Sequence, residues 1–96
     1  MRFSRDYHML VDSYLPEDFS LTKAARRMQR QILAETAGLD EVIVQWRLEE
    51  EVEDDVGLLL GLSRVGRMDT FLLFLRHGNE VEDLACWVEM RSEEHD

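Results

Sequence analysis

The side chains with the widest chemical reach in this sequence are one cysteine and three histidines, and none of them sits in a pattern that uses it. A thiol such as Cys86 becomes a catalytic nucleophile when a base, here His8 or His77, deprotonates it and donors hold the developing oxyanion. No local motif orients such a pair, and no nucleophile-elbow sequence is present. His8, His77 and His95 lack the short spacings of a metal-ligand set. Gly57, Gly61 and Gly66 do not open a helix as a phosphate-cradling loop does, and read instead as close-packing and turning positions in a sheet. Cys86 reads as a buried structural residue, and Met9, Met28, Met68 and Met90 as apolar filler. The expectation is a non-enzymatic protein with no catalytic residue, no cofactor and no metal.

Charge is the remaining chemistry. The stretch EEEVEDDVGLLLG (49–61) sets Glu49, Glu50, Glu51, Glu53, Asp54 and Asp55 directly against a leucine run. It lacks the alternating Asp/Asn ligands and the distant bidentate Glu of a calcium loop, and its glycine is misplaced. Two readings stay open. Charge at a hairpin end keeps a leucine-rich strand from pairing with a neighbouring molecule. Alternatively, same-face carboxylates on a strand recur every ~6.7 Å, a spacing of the same order as successive phosphates, so the run can mimic a nucleic-acid backbone. Glu41, Glu49 and Glu51 share one face in that reading, with Glu80, Glu82, Asp83, Glu89, Glu93 and Glu94 enlarging the field.

Lys23, Arg26, Arg27 and Arg30 recur at i, i+3, i+4, i+7 and form a basic stripe on a helix. SLTKAARRM (20–28) resembles the first helix of a helix-turn-helix domain. The resemblance stops there, because QRQILAETAG continues the helix where a tight turn and a recognition helix should follow. The stripe therefore reads as a solvated face that offsets nearby acids, each surface pair contributing little.

These residues need elements to carry them. Ser4 is a candidate N-cap for a helix bearing Tyr7, Leu10, Val11, Tyr14 and Leu15 on one face, ended by Pro16. A second helix spans about Ser20 to Ala37, with Leu21, Ala24, Ala25, Met28 and Ile32 as its apolar stripe and Gly38 as a left-handed stop. From Glu41 the period changes to two. Val42, Val44, Trp46 and Leu48, then Leu58, Leu60 and Leu62, then Phe71, Leu73 and Leu75 would face the helices, with turns at GRMD and HGN. The segment from Asn79 onward fits a helix or a strand; as a strand it would turn Leu84, Cys86, Val88 and Met90 to one face and Trp87 to the other. The expected fold is α+β, a single domain spanning 1–96. Two N-terminal helices pack on one face of a three- or four-stranded antiparallel meander, and the C-terminal segment is strand or helix. The opposite face would then carry an apolar band of Ile43, Leu59, Leu72, Phe74 and Trp87, the kind of surface that marks an interface.

The totals bound the class. Ninety-six residues suit one domain with one modest core. No apolar run approaches the ~20 residues of a membrane span, MRFSRDYHML lacks a signal-peptide core, and one cysteine excludes an intrachain disulfide. These features favour a soluble, cytoplasmic protein. Net charge is −10, and it is unevenly spread: residues 1–38 hold six Lys/Arg against five acids, residues 39–96 five against sixteen. Such a C-terminal portion repels nucleic acid and anionic membranes and attracts basic surfaces.

Interaction is thus the expected role. The first expectation is a small acidic inhibitor of a protein partner with a basic, nucleic-acid-binding surface, on the principle used by anti-CRISPR, anti-restriction and toxin-immunity proteins. Glu49, Glu50, Glu51, Glu53, Asp54 and Asp55 would supply its contact. The alternative is an acidic homodimeric adaptor or secretion chaperone, holding a client segment on the Ile43/Leu59/Leu72/Phe74 band or at a sheet edge. Direct nucleic-acid binding and membrane association are not expected.

Overall fold

The computed structural model describes residues 1–91. Its elements run β1 (Arg2–Phe3), α1 (Tyr7–Tyr14), α2 (Leu21–Glu35), β2 (Val42–Glu53), β3 (Val56–Val65), β4 (Met68–His77) and β5 (Glu80–Met90). The strands form one antiparallel sheet in the order β1-β5-β4-β3-β2, five strands where the sequence suggests three or four. The C-terminal segment takes the strand form of its two expected alternatives and is the fourth strand of the meander, β5. The fifth is the two-residue β1, too short a strand to leave a periodicity to read.

One apolar layer joins helices to sheet. Leu58, Leu60 and Leu62 of β3 and Phe71, Leu73 and Leu75 of β4 are fully buried against Ala25, Met28 and Ile32 of α2. Each fully buried aliphatic or aromatic side chain contributes roughly 1.5–3 kcal/mol, so this layer dominates the stability of the fold. Ala24 and Ala25 let α2 lie close to the strands, while Tyr7, Leu10 and Val11 of α1 pack at its edge. Ser20 caps α2, its hydroxyl accepting the Lys23 N–H at 3.3 Å. Ser4 does not cap α1; Asp6 occupies that position, and the Ser4 hydroxyl donates instead to the Asp83 carbonyl of β5 at 3.0 Å.

The other end of α2 departs from expectation. Gly38 is not in the left-handed region; positive φ among the described glycines belongs to Gly66 and Gly78. The cap residue is Thr36, and Arg64 of β3 closes the turn from below. Its guanidinium donates to the Thr36 carbonyl at 2.9 Å and to the Leu39 carbonyl at 2.7 Å, and forms a two-pronged pair with Asp69 at 2.7 and 3.1 Å. Both charged groups are almost fully buried. A buried cation with its donors spent on a carboxylate and on two carbonyls of the turn that follows α2 replaces the glycine stop.

Two irregularities reset which residues face the helices. Between Val42 and Trp46 the β2 register slips, and Ile43 and Val44 stand 84 % and 83 % exposed. Val44 therefore does not join the core as the simple alternation predicts. In β5 an extra residue, Leu84, is inserted where Leu73 pairs with Ala85 and Phe74 with Asp83. Leu84 and Ala85 are both buried, and the parity beyond them inverts, so that Trp87 and not Cys86 faces inward.

Candidate functional site

The acidic run becomes the end of a hairpin. β2 continues through Glu53, the chain turns at Asp54–Asp55, and β3 begins at Val56. Asp55 has φ 61°, the left-handed conformation that Asp and Asn tolerate better than other side chains. The β4–β5 turn lies beside it, since Val56 pairs with His77 and the Gly78 N–H donates to the Asp55 carbonyl at 2.8 Å. This brings Glu80 and Glu82 to the same end of the sheet. The α1–α2 connection arrives there too: Tyr14 stacks on His77 at 4.0 Å, and Asp18 shares a surface cleft with Lys23 and Glu51. One end of a molecule 45 Å long thus gathers Glu17, Asp18, Glu51, Glu53, Asp54, Asp55, Glu80 and Glu82.

Arginines neutralise part of the run. Glu49 accepts from Arg76 at 2.7 Å, and Glu50 accepts from the Arg27 Nε at 3.0 Å. Gly57 makes the first pair feasible, because Arg76 crosses β3 over it; a Cβ there would lie 2.9 Å from the guanidinium. Glu51, Glu53, Asp54 and Asp55 form no ion pair among the described residues and are exposed. The six acids singled out in the sequence therefore divide into two tied ones and four at the tip. Glu41 does not share a face-aligned row with Glu49 and Glu51, because it precedes β2 and the β2 irregularity lies between. Glu93 and Glu94 lie outside the described residues.

The basic stripe divides likewise. Arg26 and Arg27 reach down to the sheet, whereas Lys23 and Arg30 stay exposed. Arg26 bonds Glu89 at 2.7 Å and the Gln29 side-chain oxygen at 2.7 Å. Gln29 in turn donates to Glu89 at 2.8 Å and accepts from the Trp87 indole at 3.2 Å. Sequence reasoning missed this network. Its signal was Gln29 itself, a polar residue on the Ala25/Met28/Ile32 stripe, whose burial requires a partner. α2 runs unbroken from Leu21 to Glu35, so no recognition helix follows the SLTKAARRM segment in the helix-turn-helix manner.

The helix-free face holds Leu59 paired with Phe74, and Leu72 one row away, all half-buried. Two of the expected members are elsewhere. Trp87 is 6 % exposed on the helix side, stacked on Phe71 at 5.3 Å, and Ile43 projects from the irregular part of β2. Cys86 is exposed, not buried, and pairs with Leu72 on the open face while His77 sits on the helix face against Tyr14, so the two do not meet. Met28 fills the core as expected, but Met9, Met68 and Met90 are exposed. No cluster of three or more His, Cys, Asp or Glu able to hold a metal, and no helix long and apolar enough to cross a membrane, occurs among the described residues. No protein-family model, curated protein or solved structure matches the chain.

Proposed function

We propose that this chain is a non-enzymatic binding protein that inhibits a partner by occupying a basic surface, one that ordinarily holds nucleic acid. The observation supporting this reading is the convergence of two turns and a helix connection into one acidic pole whose tip, Glu51, Glu53, Asp54 and Asp55, forms no ion pair among the described residues. The field of such a pole steers a cationic surface into contact from a distance and sets its orientation. The hydrogen-bonded hairpin ends fix the backbone that carries these carboxylates, so binding orders side chains alone, which favours affinity. A reducing, cytoplasmic setting belongs to the same reading, and the single exposed thiol of Cys86 supports it.

A second reading is supported by the open face. Leu59, Leu72 and Phe74 lie together with no helix of the described residues over them, a surface on which an adaptor or secretion chaperone could hold an apolar client segment. The two readings answer differently to salt. Parallel pull-downs with the wild-type chain and with E51Q/E53Q/D54N/D55N, washed through a salt ramp, separate them. The inhibitor reading expects partners released early in the ramp and absent from the variant. Partners retained equally by both proteins at high salt would contradict it and favour the adaptor.

A further inference from the structure

We propose that the open face of the sheet, at the end remote from the acidic pole, is a self-association surface on which a second copy of this chain docks through Val65, Met68, Val88 and Met90. The register puts these four side chains together. Val65 pairs with Met68 and Met68 with Met90 across three strands, and Val88 follows in the next row opposite Thr70. Directly opposed residues of neighbouring strands point to one face. Their exposures are 69 %, 47 %, 53 % and 63 % respectively, far above those of the Leu59/Leu72/Phe74 band on which the sequence had suggested a dimer. Methionines suit such a contact because they repack against a twin surface.

The occupant follows from the charge distribution. A chain of net charge −10 repels its own copies. The acidic turns Asp54–Asp55 and Gly78–Asn79 lie at one end of the strands, and the Gly66–Arg67 turn, with Arg91 beside it, lies at the other. A basic partner is drawn to the first end; the apolar patch at the second offers it nothing. A second copy can approach there because a twofold axis crossing the strands directs the two acidic poles away from each other. Along a molecule 45 Å long this separates them by far more than the Debye length of ~8 Å at physiological ionic strength. A twofold parallel to the strands would stack the poles and is disfavoured for the same reason. Both helices pack on the opposite face, so no described helix covers the patch. Four side chains alone fall short of the ~800 Å² per partner of a stable interface; Leu72 and Cys86, paired in the next row of the same face, would enlarge the contact.

This surface is independent of the acidic pole, and salt distinguishes the two: screening weakens capture of a basic partner but strengthens association of like-charged copies. Sedimentation velocity on the full chain tests it. The wild type is expected to dimerise at about 100 μM, with the dimer fraction rising as salt is added. Met68→Gln/Met90→Gln is expected to weaken dimerisation at least about tenfold while leaving the thermal midpoint of the dilute monomer unchanged. Phe74→Gln serves as the contrasting variant, expected to have the smaller effect. A monomeric wild type at that concentration in high salt would overturn the proposal. So would a dimer that survives Met68→Gln/Met90→Gln, or one that only Phe74→Gln dissociates.

Discussion

Arg64 carries more of this fold than any other charged residue. Its head group is buried, and its donors serve Asp69 and the Thr36 and Leu39 carbonyls at the cap of α2 and in the turn beyond it, so it joins the β3–β4 hairpin to the helix terminus. Removing one partner of a buried pair strands the other charge, at a cost of about 3–5 kcal/mol. Arg64→Ala should lower the urea midpoint by a corresponding amount. Arg64→Lys should recover only part of it, because an ammonium cannot form the two-pronged contact and reach both carbonyls. A full recovery with lysine would mean that charge alone matters at this site. Gly57 offers a second test on a smaller scale. The Cβ of Gly57→Ala would sit 3.3 Å from the Glu50 carbonyl and crowd Arg76 away from Glu49. Denaturant unfolding should register a loss of about 1 kcal/mol, and the loss should shrink in the Arg76→Ala background.

At the scale of elements, the decisive feature is the extra residue in β5. It turns Trp87 inward beneath α2, where it is 6 % exposed, whereas Trp46 on the edge strand β2 is 39 % exposed. Acrylamide should quench the fluorescence of Trp87→Phe, which retains Trp46, far more than that of Trp46→Phe, which retains Trp87. Equal quenching would place Trp87 on the open face after all. Most of the core was legible from period and spacing, because Leu58, Leu60, Leu62, Phe71, Leu73 and Leu75 alternate without interruption and α2 keeps a clean stripe. What alternation cannot show is an inserted residue. A single bulge at Leu84 exchanged the faces of Trp87 and Cys86, and the slip after Val42 displaced Ile43 and Val44 from both expected faces. β1 was invisible because two residues have no period. Of the candidate site, the acidic run was plain in the sequence. Its division into paired and unpaired acids was not, since Arg27 and Arg76 lie 23 and 27 residues from their partners.

At the scale of the whole molecule, the acidic tip and the Val65/Met68/Val88/Met90 patch lie at opposite ends of an elongated sheet. Concentrating Glu51, Glu53, Asp54 and Asp55 with no ion pair among the described residues stores repulsion that folding must overcome. The variant E51Q/E53Q/D54N/D55N should therefore be at least as stable as the wild type at low salt, with any gain fading as salt screens the charges. Asn at position 55 keeps the left-handed turn accessible. A sharp loss of stability would instead show that these carboxylates hold the turns together. If stability persists, the measurement that bears most directly on recognition is the dissociation constant of the captured partner against salt, for the wild type and this variant. A recognition pole predicts wild-type affinity that falls steeply with added salt and a variant at least about tenfold weaker at low salt. Equal affinities with the same shallow salt dependence would contradict it.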